Sequence, residues 1–149
     1  MKIVLFDIDG TLVKTGGAGV RALNRAVKAM TGRAGVCRSL QWQGTTDKEN
    51  FESAFRIGAG RRATREEMAE LCRKYVSCLP REVTASVSAK KYLKVKGIGK
   101  FLFKLSGRKD ILAGLGTGNL KEGAFIKLEP SGLTKYFSFG GYGCDSYHR

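Results

Sequence analysis

The stretch "KIVLFDIDGTLVKTGG", residues 2–17, is apolar from Ile3 to Phe6 and then meets Asp7, Asp9, Gly10 and Thr11. An unbroken apolar run closed by glycine and polar residues reads as a buried strand and its end. Positions two apart in an extended chain point the same way, so Asp7 and Asp9 address one volume. Two like charges at a strand end form either an ordinary turn or a site that handles a cation and a phosphate. Gly10 permits a sharp turn, and the amides around it are expected to be open to an anion.

A second strand end supplies a counterpart. "DILAGLGTGN" reads as a strand over Ile111–Leu115 running into a polar turn at Thr117, Gly118 and Asn119. A threonine hydroxyl and the amides of such a turn can hold phosphate oxygens without adding charge.

Between the two strands the pattern is helical. Val20, Leu23, Val27 and Met30 form one stripe, closed by Gly32. Thr46 with Glu49, and Thr64 with Glu67, have capping-box spacing, and the helix after Thr64 is expected to stop at Pro80. Ile98, Phe101, Leu102 and Leu105 then make a basic amphipathic helix ending near Gly107. A helix over 120–129, stopped by Pro130 and Gly132, and a strand near 137–139 complete the chain. Strand, helical segment, helix, strand, helix, strand predicts an α/β fold: a Rossmann-like parallel sheet with an inserted all-helical segment. The expected boundaries are 1–15 for the first strand and its loop, 16–85 for the helical segment and 86–149 for the rest of the sheet unit.

The 149 residues are 42% hydrophobic and 27% charged, a globular composition. No apolar stretch reaches the roughly 20 residues of a membrane span, and Asp7 interrupts the N-terminal run, so the chain reads as cytoplasmic. Cys37, Cys72, Cys78 and Cys144 form no CxxC pair, and His148 is the only histidine. This leaves little material for a zinc site or a histidine-dependent nucleophile. The net charge is +14, and no acid lies between Lys90 and Lys109. With Tyr92, Phe101 and Phe103 interleaved, that tract could face nucleic acid; a solvated helix face accounts for it equally simply and is favoured.

"LFDIDGTL" followed about a hundred residues later by "LGTGN" resembles the haloacid dehalogenase-like (HAD) hydrolases, especially the phosphoglycolate phosphatase-like members. The resemblance spans nearly the whole chain and implies a magnesium-dependent phosphomonoester hydrolase acting on a small phosphorylated, phosphoglycolate-like metabolite. Asp7 would be the nucleophile that forms an aspartyl-phosphate, and Asp9 the general acid and base. Mg²⁺ would sit on the Asp7 carboxylate and the Asp9 backbone carbonyl. Gly10, Thr11, Thr117, Gly118 and Asn119 would surround the phosphate, and the helical segment would be the family's cap. Its "GTTD", residues 44–47, lies where related caps carry a loop facing the site, although a helix N-cap explains Thr46 as well.

Two departures qualify the resemblance. For the family's third motif, a basic residue on the phosphate, Lys127 reads as a surface residue of the preceding helix, and Arg149 falls nearer the expected place. The fourth motif, an acidic pair, is absent, since Asp145 comes too early. The chain is therefore expected to be the N-terminal part of a longer hydrolase, with the later core strands missing and the first strand left as an apolar edge able to self-associate. Phosphonate cleavage, phosphosugar isomerisation and dehalogenation are the family alternatives. A catalytically weak remnant that binds phosphate or nucleic acid through its basic surface is the alternative outside catalysis.

Overall fold

The computed structural model describes residues 1–40, 42 and 44–145. Strand β1 (Lys2–Phe6) pairs in parallel with a strand far along the chain, Ile111–Gly116, with Lys2 opposite Ile111 and Phe6 opposite Leu115. Between them lie a second strand β2 (Val13–Lys14), helices α1 (Ala18–Thr31), α2 (Asp47–Ala59) and α3 (Arg65–Ser88), strand β3 (Leu93–Lys94) and helix α4 (Ile98–Ser106). Strand Ile111–Gly116 is thus β4, and it is followed by α5 (Lys121–Leu128) and β5 (Gly140–Gly141). The sheet order is β1-β4-β5, all parallel, as the alternation of elements predicts. Strand β1 is an edge: Ile3 and Leu5 are 63% and 58% exposed, whereas Phe6 and Ile8 are buried. At Gly114 a Cβ would fall 2.4 Å from the Phe139 ring, so glycine there lets that ring lie against the sheet.

Two apolar cores result. One gathers Phe6, Ile8, Leu12, Leu102, Leu115, Leu128 and Phe137 around the sheet. The other gathers Leu23, Val27, Phe51, Phe55, Leu71, Tyr75 and Leu79 among α1, α2 and α3, and it includes Leu120 from the start of α5. That leucine carries the packing of the helical segment across to the sheet unit. The chain passes between the two through a ribbon that periodicity does not reveal. β2 and β3 are two residues each and pair antiparallel, with Val13 opposite Lys94. No helix among the described residues is long and apolar enough to cross a membrane.

The expected stop at Pro80 is not observed, because α3 continues through the proline to Ser88. A proline inside a helix costs about 3 kcal/mol through its missing N–H and its steric clash. The last two turns of α3 are held by other contacts. Leu79 and Val83 are buried, and Glu82 accepts hydrogen bonds from Arg21 Nε at 2.7 Å and Arg25 Nε at 2.5 Å. Arg21 also donates to the Ser86 hydroxyl at 2.6 Å. Both capping boxes form as the spacing predicts, at Thr46/Glu49 and Thr64/Glu67.

Three elements differ slightly from their expected bounds or faces. α5 ends at Leu128 and passes into a 3-10 turn, Glu129–Ser131, where Pro130 fits without a broken ladder. The last strand falls at Gly140–Gly141 rather than 137–139, because Phe137 serves as a core residue against Phe6. On α4 the buried side is Leu102 with Ile98 and Leu105 behind it; Phe101 is 52% exposed and meets Phe6 edge-on at 6.2 Å.

Burial alone would raise the Glu82 pKa, but the hydrogen bonds from Arg21 and Arg25 outweigh it and hold the carboxyl below its ordinary value of 4.5. The folded state therefore binds this proton less tightly than the unfolded chain, and the contribution is present above about pH 4.5 and lost as pH falls through the lowered value. Glu82→Gln is expected to cost about 1–2 kcal/mol near neutral pH, discounted because both arginines keep much of their surface in water. It should also flatten the acid side of the stability profile. Thermal unfolding of both proteins across the acid range checks both effects.

Candidate active site

The carboxyl ends of β1 and β4 lie side by side, and parallel sheets present ligand sites at such ends. Asp7 follows β1 directly, and its Oδ1 accepts the Ile8 amide at 2.8 Å. Ile8, fully buried, anchors the turn that carries Asp9. At the end of β4 the Thr117 amide donates to the Gly141 carbonyl at 3.1 Å, which fixes the loop to the next strand. Asp7, Asp9, Thr117, Gly118 and Asn119 all line one cavity of about 420 Å³.

Gly10 and Thr11 do not line it. The Gly10 amide donates to the Val13 carbonyl at 2.8 Å and the Thr11 amide to the Ile8 carbonyl at 3.3 Å. Both amides are consumed in closing the turn, so the expectation that they stand open to an anion is corrected. Gly10 still has a backbone role, since its φ of 83° lies in the region that favours glycine. Arg149 lies outside the described residues.

Lys127 departs furthest from its expected place. It is not a surface residue: it is 5% exposed, on the face of α5 that packs against the loop after β4. Its Nζ donates to Asp9 Oδ2 at 2.8 Å and to Asn119 Oδ1. Asn119 Nδ2 donates to the same Asp9 oxygen at 2.9 Å and to Thr117 Oγ1 at 2.7 Å. The Asn119 amide reaches Thr117 Oγ1 as well, at 3.3 Å. With two donors on its lone pairs, the Thr117 hydroxyl has its own proton to offer outward. Asn119 thus acts as a brace between Asp9, Thr117 and Lys127. The signal for Lys127 was its place on the stripe Leu120, Ala124, Lys127 and Leu128, all of them buried.

The helical segment closes the cavity from the other side. Gly44, Thr45, Asp47, Asn50 and Tyr75 line it, so "GTTD" both faces the cavity and caps a helix. Thr46 supplies the cap, and Asp47, first residue of α2, turns back to the loop after β4. The Asp47 amide donates to the Gly118 carbonyl at 2.8 Å, and its Oδ2 accepts the Leu120 amide at 2.9 Å. The approach is close: a Cβ on Gly118 would fall 2.8 Å from the Thr45 carbonyl oxygen. Tyr75 is 1% exposed and its ring packs on Phe51 at 4.6 Å. Its hydroxyl and Lys127 Nζ would lie 3.4 and 3.5 Å from a Cβ on Gly19.

Charge in the cavity follows from burial and neighbours. Burial opposes the Lys127 ammonium, but the negative charge of Asp9 and Asp47 and the hydrogen bond to Asp9 outweigh it and hold its pKa above the ordinary lysine value. For Asp47 the loss of water dominates and raises the pKa, against the pull of Lys127 and the Leu120 amide. Burial likewise raises the Tyr75 phenol, which stays protonated.

The donor set that a metal would meet at Asp7 and Asp9 is oxygen only. This suits a hard cation such as Mg²⁺, which binds through one or two carboxylates together with substrate phosphate and retained waters. Among the described residues no three histidine, cysteine, aspartate or glutamate side chains gather into a metal cage.

No protein-family model and no curated protein sequence matches the chain. Solved structures do. A hydrolase from Pseudomonas syringae superposes with a TM-score of 0.65 at 19% identity, over 97% of this chain and 60% of its own. A predicted phosphoglycolate phosphatase from Haemophilus somnus gives 0.60 at 17% identity, over 95% and 62%. A Bacillus subtilis protein assigned as a HAD-hydrolase, in a crystal form bound to magnesium, gives 0.56 at 18% identity, over 99% and 67%. The chain spans less than two thirds of the length of the first two. It has the fold of the haloacid dehalogenase-like hydrolases, to which its two motifs point.

Proposed function

We propose that this chain carries the phosphoryl-transfer site of a cytoplasmic phosphomonoester hydrolase acting on a small phosphorylated metabolite. The observation that supports this best is the meeting of Asp7 and Asp9 with Thr117 and Asn119 in one cavity, joined by the buried Lys127. In this reading an Asp7 carboxylate oxygen attacks phosphorus. An oxygen–phosphorus bond forms to Asp7 as the bond to the leaving oxygen breaks, and Asp9 gives its proton to that oxygen. Water then attacks the aspartyl-phosphate, its proton passes to Asp9, and the bond to Asp7 breaks to release phosphate.

The Ile8 amide holds the Asp7 carboxylate toward the cavity for the attack. Thr117 donates its hydroxyl proton to a phosphate oxygen, and Lys127 adds positive charge beside Asp9 and behind the phosphate. Asp7, through its carboxylate, and Asp9, through its backbone carbonyl, would hold Mg²⁺. The ion, when bound, neutralises charge on the phosphoryl oxygens. The helical segment, seated through Asp47 on the loop after β4, excludes water while the intermediate exists.

Asp7→Asn is expected to reduce phosphate release from an aryl phosphate in magnesium buffer to below a tenth of the parent rate, since an amide does not attack phosphorus. Retention of more than that overturns the assignment of the nucleophile. Asp9→Asn is expected to spare aryl phosphates, whose leaving group needs no proton, and to slow alkyl phosphates. Equal losses on both would remove Asp9 from the acid role. Lys127→Met leaves Asp9 and Asp47 without their shared cation. It should cost about 3 kcal/mol in urea unfolding, the low end for a broken buried pair because Asp9 keeps about half of its side chain in water.

A further inference from the structure

We infer that the cavity takes a phosphate ester whose leaving group is uncharged and rich in hydroxyls, a small polyol or sugar, in preference to one bearing a carboxylate. The inference rests on the phosphatase reading and concerns the wall opposite Asp7 and Asp9.

Cation supply decides first. Lys127 is the only lysine or arginine among the described residues that line the cavity, and its ammonium is taken by Asp9 and Asn119 on the phosphate side. Arg21 lies beside Gly17 at the margin, but its guanidinium is spent. Nε goes to Glu82 at 2.7 Å, Nη1 to the Gly16 carbonyl at 2.7 Å and Nη2 to the Ser86 hydroxyl at 2.6 Å. A carboxylate on the leaving group would therefore enter a wall that holds a buried acid, Asp47, and no cation among its described residues. An unpaired charge in such a place is costly, and proximity to a like charge adds to that cost.

What the wall does offer is neutral and fixed. Thr45 Oγ1 lies 3.2 Å from both the Trp42 carbonyl oxygen and Asn50 Oδ1, and its single proton serves one of them at a time, so the Asn50 carboxamide keeps hydrogen-bonding capacity for a ligand. The Tyr75 phenol, locked by the Phe51 contact and protonated, is both donor and acceptor. Hydroxyl groups, which donate and accept alike, satisfy such partners, whereas a carboxylate only accepts. Trp42 adds an aromatic surface against which a carbon skeleton can lie. The volume of about 420 Å³ accommodates a phosphate with a short polyol.

Trp42 is the single tryptophan of the chain and lines the cavity, so its fluorescence reads occupancy directly. The full chain in magnesium buffer is titrated with inorganic phosphate, with the phosphonate analogue of a four-carbon polyol phosphate, and with a carboxyalkyl phosphonate of matched length. Phosphonates lack the ester oxygen that a phosphomonoesterase cleaves, so affinity is read without turnover. The expected result is binding of all three, with the polyol phosphonate at least about tenfold tighter than the carboxylate, roughly 1.4 kcal/mol. Tyr75→Phe and Asn50→Ala should each shrink that ratio to about threefold or less while the affinity for inorganic phosphate stays within about twofold of the parent. Phosphate binding with equal or tighter binding of the carboxyalkyl compound overturns the inference and spares the phosphatase reading. Absence of phosphate binding overturns both. If either variant fails to fold, the ratio in the parent protein decides alone.

Discussion

A lysine ammonium buried against two acids and a carboxamide organises this molecule. Taking one ammonium out of water costs several kcal/mol even after the surroundings relax, so Lys127 is tolerable only if its partners stay in place. Those partners come from distant parts of the sequence: Asp9 after the first strand, Asn119 after the fourth, and the Asp47 carboxylate, acting through its charge, from the helical segment. The backbone of Lys127 is itself tied down, since the Tyr92 hydroxyl donates to its carbonyl at 2.7 Å. The positions of Asp9 and Thr117 follow from this ammonium through Asn119, which bonds to both.

The same arrangement couples the helical segment to the sheet unit. Asp47 grips both ends of the loop after β4, by its amide at Gly118 and by its carboxylate at the Leu120 amide. Leu120 then enters the core of the helices. Each of these hydrogen bonds contributes only about 1 kcal/mol net. The chain crosses between the two cores through β2 and β3, a ribbon of two residues on each side.

Much of this was legible in the sequence where a residue type declares its own local geometry. The capping boxes, the two aspartates at a strand end and the Thr-Gly-Asn turn follow from patterns a few residues long, and the parallel order follows from the alternation of elements. What was not legible depends on three-dimensional neighbours. A lysine reads as exposed because lysine almost always is, and only its place on the apolar stripe of α5 signalled otherwise. Pro80 reads as a stop because the contacts that carry α3 past it come from Arg21 and Arg25, more than fifty residues earlier. The amides of Gly10 and Thr11 read as open because nothing local shows that Val13 and Ile8 accept them. Strands of two residues are too short for any period to show.

This division also explains how the fold is shared with proteins at 17% to 19% identity. The sheet demands little beyond apolar bulk at Phe6, Ile8 and Leu115, which many sequences supply. The loops at the strand ends demand particular atoms: a carboxylate that an Ile8 amide can orient, a hydroxyl that two donors can saturate, and a glycine where Thr45 comes close. Substitutions in the first set exchange one apolar side chain for another at small cost. Substitutions in the second leave a buried polar group without its partner or push two backbones apart, at costs of about 1–3 kcal/mol each. Substitution is therefore cheap over the apolar core of this chain and costly around its cavity, where the motifs stood out in the sequence.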